Sequence, residues 1–227
     1  MFVAKEMPRS LSAESYKSLR TNIRFFSVGK QLKTIVVTSS VPGEGKSTVA
    51  GNLAFSLSQD GARVLIIDCD LRKPSMHHKF FISNTDGLSD VLVNTCDIKK
   101  AIKKIDNFLF IITAGTIPPN PAEMLGSRSM EALIEELSIN FDYIIIDTPP
   151  VLSVTDASIL ATKMDGVIIV VNAKKTRDKM IKQTYEKLTR VNAHIMGTVL
   201  NNCEKTKYNK YYGYYNEKKS KRIKNKK

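Results

Sequence analysis

The feature that most constrains the fold is a glycine-rich turn between a strand-like and a helix-like segment. The apolar run Ile35–Val37 leads into SVPGEGKST at residues 40–48, and a helix-like stretch follows at Val49–Ser58. Glycines let backbone N–H groups curl around phosphate oxygens, and the following helix directs the positive end of its dipole at the same anion. The sequence therefore predicts a P-loop that binds a nucleoside triphosphate.

The P-loop pattern assigns separate roles to its residues. In G-x-x-x-x-G-K-[ST] the lysine, Lys46 here, reaches the β- and γ-phosphates, and the hydroxyl of Ser47 ligates Mg²⁺. Ser40 stands where the first glycine is usual, and its small size makes the replacement acceptable. A dinucleotide-binding G-x-G-x-x-G turn is disfavoured, since Thr48 occupies the place of its third glycine. We expect nucleotide contacts from Pro42, Gly43, Glu44, Gly45, Lys46, Ser47 and Thr48.

Continuous apolar runs recur along the chain with helical segments between them. Runs of this kind suit strands that are buried on both faces of a parallel sheet. The sequence thus predicts an α/β fold with a doubly wound, mostly parallel sheet of the P-loop NTPase type. The six runs are Ile35–Val37, Val64–Ile67, Leu109–Ile112, Tyr143–Ile146, Val167–Val171 and Met196–Leu200, and the clearest covering helices are Met130–Leu137 and Met180–Val191.

Three acidic residues follow two of these runs. Asp68 and Asp70 follow Val64–Ile67, and residues two apart on an extended segment point the same way. Asp147 ends the run Ile144–Ile146 in the manner of a Walker B strand. Phosphoryl transfer needs Mg²⁺ and a carboxylate that positions the nucleophile. We expect all three carboxylates beside the P-loop, because phosphate sits at the carboxyl ends of parallel strands.

The two ends of the chain differ from its centre. At the N-terminus, Tyr16, Leu19, Ile23 and Phe26 fall on one side of a helix predicted over Leu11–Phe26, which packs on the domain or docks on a neighbouring subunit. From Cys203 onward ten Lys/Arg and two Glu give a local charge of +8, out of +13 for all 227 residues. We divide the chain into an N-terminal helical extension (1–30), a P-loop domain (31–202) and a flexible tail (203–227).

The tail also holds five of the eight tyrosines, within eight positions. The tyrosines are phosphoacceptors on a flexible arm, or else an aromatic and basic segment of the kind that contacts nucleic acid. The segment after Asn216 is nearly all Lys, Asn and Ser, a composition typical of disorder. The five are Tyr208, Tyr211, Tyr212, Tyr214 and Tyr215.

Other residue types exclude several classes of protein. The three cysteines are scattered, as expected in a reducing cytoplasm, and the three histidines lack metal-ligand spacing. No apolar run approaches the roughly 18 residues of a membrane span, and the N-terminus does not resemble a signal peptide. We expect a cytoplasmic protein whose link to a membrane is peripheral or runs through a partner.

Taken together, these motifs make the chain resemble the bacterial protein-tyrosine kinases (BY-kinases) that control capsular and exopolysaccharide synthesis. The family's Walker A motif matches residues 40–47, its Walker A′ motif (apolar residues, then D-x-D-x-R) matches Leu65 through Arg72, and its Walker B motif matches Ile144 through Pro150. Its C-terminal tyrosine cluster matches residues 208–215. Its N-terminal E-x-x-R-x-x-R motif, used in ring assembly, is matched by Glu14 and Arg20, with Lys17 in place of the first arginine.

The resemblance implies roles for the site residues. Lys46 would stabilise the transferring phosphoryl group of Mg²⁺-ATP, and Asp68 would accept or orient the tyrosine hydroxyl proton. Asp70 and Asp147 would support metal and water positions, which makes Lys46, Asp68, Asp70 and Asp147 the catalytic set and Ser47, Asp68 and Asp147 the metal set. Asn201, after the last run, would contact adenine.

The resemblance also implies partners. It predicts a ring of identical subunits assembled through Glu14, Lys17 and Arg20, and a separate membrane-embedded activator whose cytoplasmic tail completes the site at the inner face of the membrane. Polysaccharide-synthesis enzymes would be substrates, a cognate phosphatase would reverse the reaction, and no nucleic acid is expected. Two alternatives stay open: a partition or cell-division ATPase, disfavoured because Val41 replaces that class's signature lysine, and a nucleotide-dependent scaffold with a basic tail that binds lipid or nucleic acid.

Overall fold

The computed structural model describes residues 2–27, 29 and 32–203. The five clustered tyrosines therefore lie outside the described residues, as does nearly all of the proposed tail. The strands are β1 Thr34–Ser39, β2 Val64–Asp68, β3 Lys103–Lys104, β4 Leu109–Ile112, β5 Tyr143–Asp147, β6 Gly166–Asn172 and β7 Ile195–Asn201. Every predicted strand is present, and most are one or two residues longer than the apolar run that predicted them.

One sheet contains all seven of these strands, in the order β3-β4-β2-β5-β1-β6-β7. Each neighbouring pair is parallel except β3 with β4, which is antiparallel. The mostly parallel sheet of a doubly wound α/β fold is thereby confirmed. The short strand β3 was not predicted, because Lys103 and Lys104 carry no apolar signal.

Successive residues of each central strand point into two different hydrophobic cores. Val36 and Leu65 belong to one core, whereas their neighbours Ile35 and Ile66 belong to the other. This alternation follows from the two-residue period of a strand, and it requires helices on both faces of the sheet.

Ten helices supply that cover in the described part of the chain. α1, α2 and α3 lie on one face, and α8 and α9 pack against the other core. Their bounds are α1 Val3–Glu6, α2 Leu11–Phe26, α3 Lys46–Ser58, α4 Met76–Phe80, α5 Leu88–Leu92, α6 Ile98–Ala101, α7 Pro121–Gly126, α8 Arg128–Asn140, α9 Asp156–Ala161 and α10 Asp178–Arg190.

The N-terminal helix α2 packs within its own chain against α3. Ser10 caps it by accepting a hydrogen bond from the N–H of Ala13 at 3.2 Å, and Ile23 is buried in the core. Arg20 donates to the carbonyl of Ser56 at 2.7 Å. Arg20 also forms an ion pair with Asp60 at 3.5 Å. The prediction that Ile23 lies on the packing face of this helix is therefore correct, whereas Phe26 at the end of the helix is half exposed.

Among the described residues, no helix is both long enough and apolar enough to cross a membrane. The boundaries proposed at residues 30/31 and 202/203 stay predictions.

Candidate nucleotide and metal site

The register of three central strands brings the predicted acidic residues to the P-loop. Asp147 at the end of β5 is paired with Val37 of β1 on one side and with Asp68 of β2 on the other. β1 leads directly into the P-loop, so the loop and both carboxylates meet at one edge of the sheet. This is the carboxyl edge, where ligands bind in open α/β sheets.

The backbone of the P-loop depends on its glycines. Gly43 and Gly45 have φ angles of 83° and 95°, which residues with a Cβ rarely adopt. A Cβ on Gly45 would also overlap the side-chain amide nitrogen of Asn201. Gly45 ends the turn directly before α3, whose first N–H groups have no partner within the helix and point at the expected phosphates.

Side-chain hydrogen bonds hold the loop in shape from the α10 side. The buried carboxylate of Glu44 accepts from the N–H of Val41 at 2.9 Å and from the hydroxyl of Thr176. The hydroxyl of Thr184 donates to that of Ser40 at 2.9 Å, and both side chains are fully buried. The serine at the first P-loop position therefore supplies a brace that glycine could not. The carboxylate of Glu44 is thus bound by donors of the protein itself.

Lys46 lies between two of the predicted catalytic acids. Its Nζ is 3.0 Å from Oδ2 of Asp70 and 3.8 Å from Oδ1 of Asp147. Burial disfavours the charged ammonium, but attraction to Asp147 and Asp70 outweighs burial and raises the pKa of Lys46. The lysine therefore stays charged at neutral pH, as an electrostatic contact to phosphate requires.

Asp68 is completely buried, and its carboxylate is held by backbone donors. Oδ1 accepts from the N–H of Asp70 at 3.2 Å, and Oδ2 accepts from those of Ser75 and Met76 at 3.1 and 3.0 Å. Burial and the nearby charge of Asp147 nevertheless raise the pKa of Asp68 to about 7. A carboxylate accepts about four hydrogen bonds, so the donors of the described residues leave one lone pair, on Oδ1, open.

Asp147 is equally buried, yet neither of its carboxylate oxygens has a hydrogen-bond partner among the described residues. Burial raises the pKa of Asp147, while the charge of Lys46 opposes that shift. An unpartnered buried carboxylate is costly, and a cation or a cation-bound water would satisfy it. Carboxylate and hydroxyl oxygens are the ligands that Mg²⁺ prefers, so Asp147 and Ser47 fit such an ion.

Several contacts at this edge of the sheet were not predicted from the sequence. The hydroxyl of Ser75 donates to that of Ser47 at 3.1 Å, and Nζ of Lys79 donates to the hydroxyl of Thr48 at 3.1 Å. Arg72 forms two hydrogen bonds, of 2.9 and 3.1 Å, to the buried carboxylate of Asp156. Of the residues outside the P-loop in these contacts, only Arg72 carried a sequence signal, as the last residue of the Walker A′ motif.

The structure also places the remaining predicted residues. Asn201 donates its Nδ2 to the carbonyl of Glu44 at 2.9 Å, and among the described residues no hydrogen bond reaches its Oδ1. Glu14 and Lys17 form an ion pair of 2.7 Å on the surface of α2, whereas Arg20 binds inside the chain. Pro42 and Gly43 are exposed at the mouth of the P-loop.

The fold and this edge of the sheet define a nucleotide-binding P-loop domain. The family model described as an AAA domain matches residues 32–201. A plasmid partition protein from Borrelia burgdorferi shares the fold, with a TM-score of 0.61 and 24% identity over 78% of this chain and 84% of that one.

More similar proteins narrow the class. The chain is 42% identical to tyrosine-protein kinase YwqD of Bacillus subtilis over 95% of its own length and 91% of the relative's. It is 35% identical to the putative tyrosine-protein kinase CapB of Staphylococcus aureus, covering 93% of each. The kinase domain of the Escherichia coli tyrosine kinase Etk superposes with a TM-score of 0.87 at 30% identity, covering 91% of this chain and 82% of that one.

The chain therefore belongs to the bacterial tyrosine-protein kinase family, and the expected resemblance is confirmed. It spans only 29% of the length of one longer relative, the tyrosine-protein kinase Wzc of Salmonella typhimurium, to which it is 36% identical.

Proposed function

We propose that the chain transfers the γ-phosphoryl group of ATP to tyrosine hydroxyls at the carboxyl edge of its sheet. The observation that carries this proposal is the position of Lys46, charged and held between Asp70 and Asp147 at the start of α3. In a P-loop this lysine reaches the β- and γ-phosphates. Once nucleotide binds, the ammonium of Lys46 would move from the carboxylates to the phosphates. There it would offset the negative charge that develops during transfer.

The three acids would divide the remaining work. Asp68 accepts or orients the proton of the attacking tyrosine, for which a pKa near the working pH is suited. Asp147 and Ser47 hold Mg²⁺ or its water, and Asp70 keeps Lys46 in place until nucleotide arrives. When bound, the ion neutralises charge on the phosphate oxygens.

The proposed acceptors are the clustered tyrosines of the tail, Tyr208, Tyr211, Tyr212, Tyr214 and Tyr215. They begin seven residues after β7 ends at Asn201, so a short arm would carry them away from their own sheet. Each phosphate adds about −1.5 to −2 charges at neutral pH. Full phosphorylation would cancel the local +8 of the tail and repel it from a site rich in carboxylates.

The central experiment tests Lys46 with a matched lysine control. Lys46→Met should abolish phosphotyrosine after incubation with Mg²⁺ and ATP, detected by mass spectrometry of the tail. Lys73→Met, which alters a nearby exposed lysine, should retain it. Unchanged phosphorylation in Lys46→Met would refute the proposal.

A mixing experiment tests whether transfer occurs between subunits. The Lys46→Met chain with its tail intact is incubated with an active chain truncated after Asn202. Phosphate on the inactive chain supports transfer between subunits. Its absence, while the truncated chain phosphorylates an added tyrosine peptide, contradicts it. An oligomer whose size stays the same after full phosphorylation would contradict release of the tail.

The proposed setting is the synthesis of capsular or extracellular polysaccharide. In this proposal subunits assemble into a ring through Glu14, Lys17 and Arg20, polysaccharide-synthesis enzymes are further substrates, and a phosphatase reverses the modification. A membrane-embedded partner completes the site with its cytoplasmic tail and recruits the kinase to the inner face of the membrane. Equal phosphorylation rates with and without that tail would count against the activator.

A further inference from the structure

Lys79 is a second lysine at the phosphate-binding edge, and no sequence motif assigns it a role. It lies on α4, is half-buried, and donates from Nζ to the hydroxyl of Thr48 at 3.1 Å. Among the described residues no carboxylate lies within 4.0 Å of its ammonium. A lysine ammonium carries three donors, so this contact leaves donors available to an anion.

The position of Lys79 is fixed by three contacts between α4 and the nucleotide site. Asp68 accepts from the N–H groups of Ser75 and Met76, and the hydroxyl of Ser75 donates to that of Ser47. Lys79 follows Met76 by one helical turn. The side chain therefore extends to the P-loop from a helix that the catalytic carboxylate itself anchors.

The charge at this edge favours an anionic partner for Lys79. Lys46 is surrounded by carboxylates, whereas Thr48 offers Lys79 only a neutral oxygen. The N-terminus of α3 adds partial positive charge at Ser47 and Thr48. Asp147 attracts Lys79 only from beyond 4.0 Å, so an incoming phosphate chain would meet an ammonium that no carboxylate contacts directly among the described residues.

We propose that Lys79 binds the phosphate chain of the nucleotide directly, at the α- and β-phosphates. The P-loop lysine serves the β- and γ-phosphates. Lys79 approaches instead at Thr48, two residues further along the chain than Lys46. This assignment rests on the proposed ATP-dependent function and adds a second cation to its substrate site.

The experiment compares four full-length chains by calorimetric titration with ATP and with ADP, in the presence of Mg²⁺. Lys79→Gln removes the charge, Lys79→Arg retains it, and Lys73→Gln alters a nearby exposed lysine as the matched control. We expect Lys79→Gln to weaken the binding of both nucleotides by about tenfold, which corresponds to the loss of one charge-assisted hydrogen bond. Lys79→Arg should retain most of the affinity, and Lys73→Gln should stay within about twofold of wild type.

Each other result overturns a defined claim. Unchanged affinity in Lys79→Gln would overturn the inference. Weaker binding of ATP with unchanged binding of ADP would overturn the assignment to the α- and β-phosphates. Lys79 would have a structural role instead if nucleotide-free Lys79→Gln melted at a lower temperature and Lys79→Arg did not recover nucleotide affinity. A wild-type chain that binds ATP through Lys79 yet forms no phosphotyrosine, even with the cytoplasmic tail of the membrane partner present, would refute the proposed function alone. A wild-type chain that binds neither nucleotide would overturn both.

Discussion

Asp68 and Asp147 are paired residues on the adjacent parallel strands β2 and β5, yet their carboxylates are held in opposite ways. Asp68 accepts three backbone hydrogen bonds, two of which anchor the start of α4. Asp147 accepts none from the described residues, and its nearest cation is Lys46 at 3.8 Å. The first carboxylate is thus already part of the fold, whereas the second is available to a ligand.

Replacing Asp147 should separate stability from activity. Asp147→Asn removes a buried charge without a hydrogen bond, so the metal-free chain should be as stable as wild type or more stable. Mg²⁺-dependent binding of ATP and phosphotyrosine formation should both fall by at least tenfold. Thermal melting with a chelator and nucleotide titration with and without Mg²⁺ measure the two effects. Asp178→Asn, at an exposed acid, is the control, and a lower melting temperature in Asp147→Asn alone would contradict the account.

Replacing Asp68, in contrast to Asp147, should lower the stability of the chain. In Asp68→Asn an NH₂ group replaces one oxygen and faces a backbone N–H, which should cost about 1–3 kcal/mol of unfolding free energy. Phosphoryl transfer should be lost, because the amide cannot accept a proton, while much of the nucleotide affinity remains. Denaturant unfolding and nucleotide titration test this pair of outcomes. If the variant binds no nucleotide, Asp68 serves mainly as a metal ligand and its role as proton acceptor is wrong.

The raised pKa of Asp68 predicts how stability depends on pH. An unfolded carboxyl titrates near 3.8, whereas Asp68 titrates at about 7 in the folded chain. Between these values the folded state binds more protons, so this group lowers stability as the pH rises from about 4 to about 7. In chelator, without nucleotide, the unfolding free energy of wild type should decline with pH more steeply than that of Asp68→Asn. Parallel curves for the two chains would show that Asp68 does not titrate in this window.

Local sequence patterns predict most of the sheet but only half of the site. Buried strands and the P-loop carry contiguous signals, so β1, β2, β4, β5, β6 and β7 could all be predicted. The edge strand β3 could not, since its two lysines carry no apolar signal. Lys79 and Asp156 belong to no motif. They reach the site because the start of α4 binds Asp68 and the start of α9 binds Arg72, contacts that only the folded chain brings together.

The ion pair of Arg72 with Asp156 should act as a structural brace. Asp156 is completely buried, and removal of its partner in Arg72→Ala would leave that charge without its two hydrogen bonds. Because Arg72 itself is partly exposed, we expect a loss of about 1–3 kcal/mol, smaller than for a fully buried pair. The double variant Arg72→Ala/Asp156→Asn should lose less than the sum of the single variants. Strictly additive losses in denaturant unfolding would show that the two residues act independently.

Asn201 should help to select adenine. One N–H of its side-chain amide donates to the carbonyl of Glu44, and Oδ1, which has no donor among the described residues, can accept a hydrogen bond from the base. The 6-amino group of adenine donates at that edge of the base, whereas guanine presents an oxygen that would repel Oδ1. Asn201→Ala should therefore weaken the binding of ATP more than that of GTP, and the preference for ATP over GTP should fall by about tenfold. Titration of both nucleotides against wild type and variant measures this. Equal losses for ATP and GTP would show that Asn201 only braces the P-loop through Glu44.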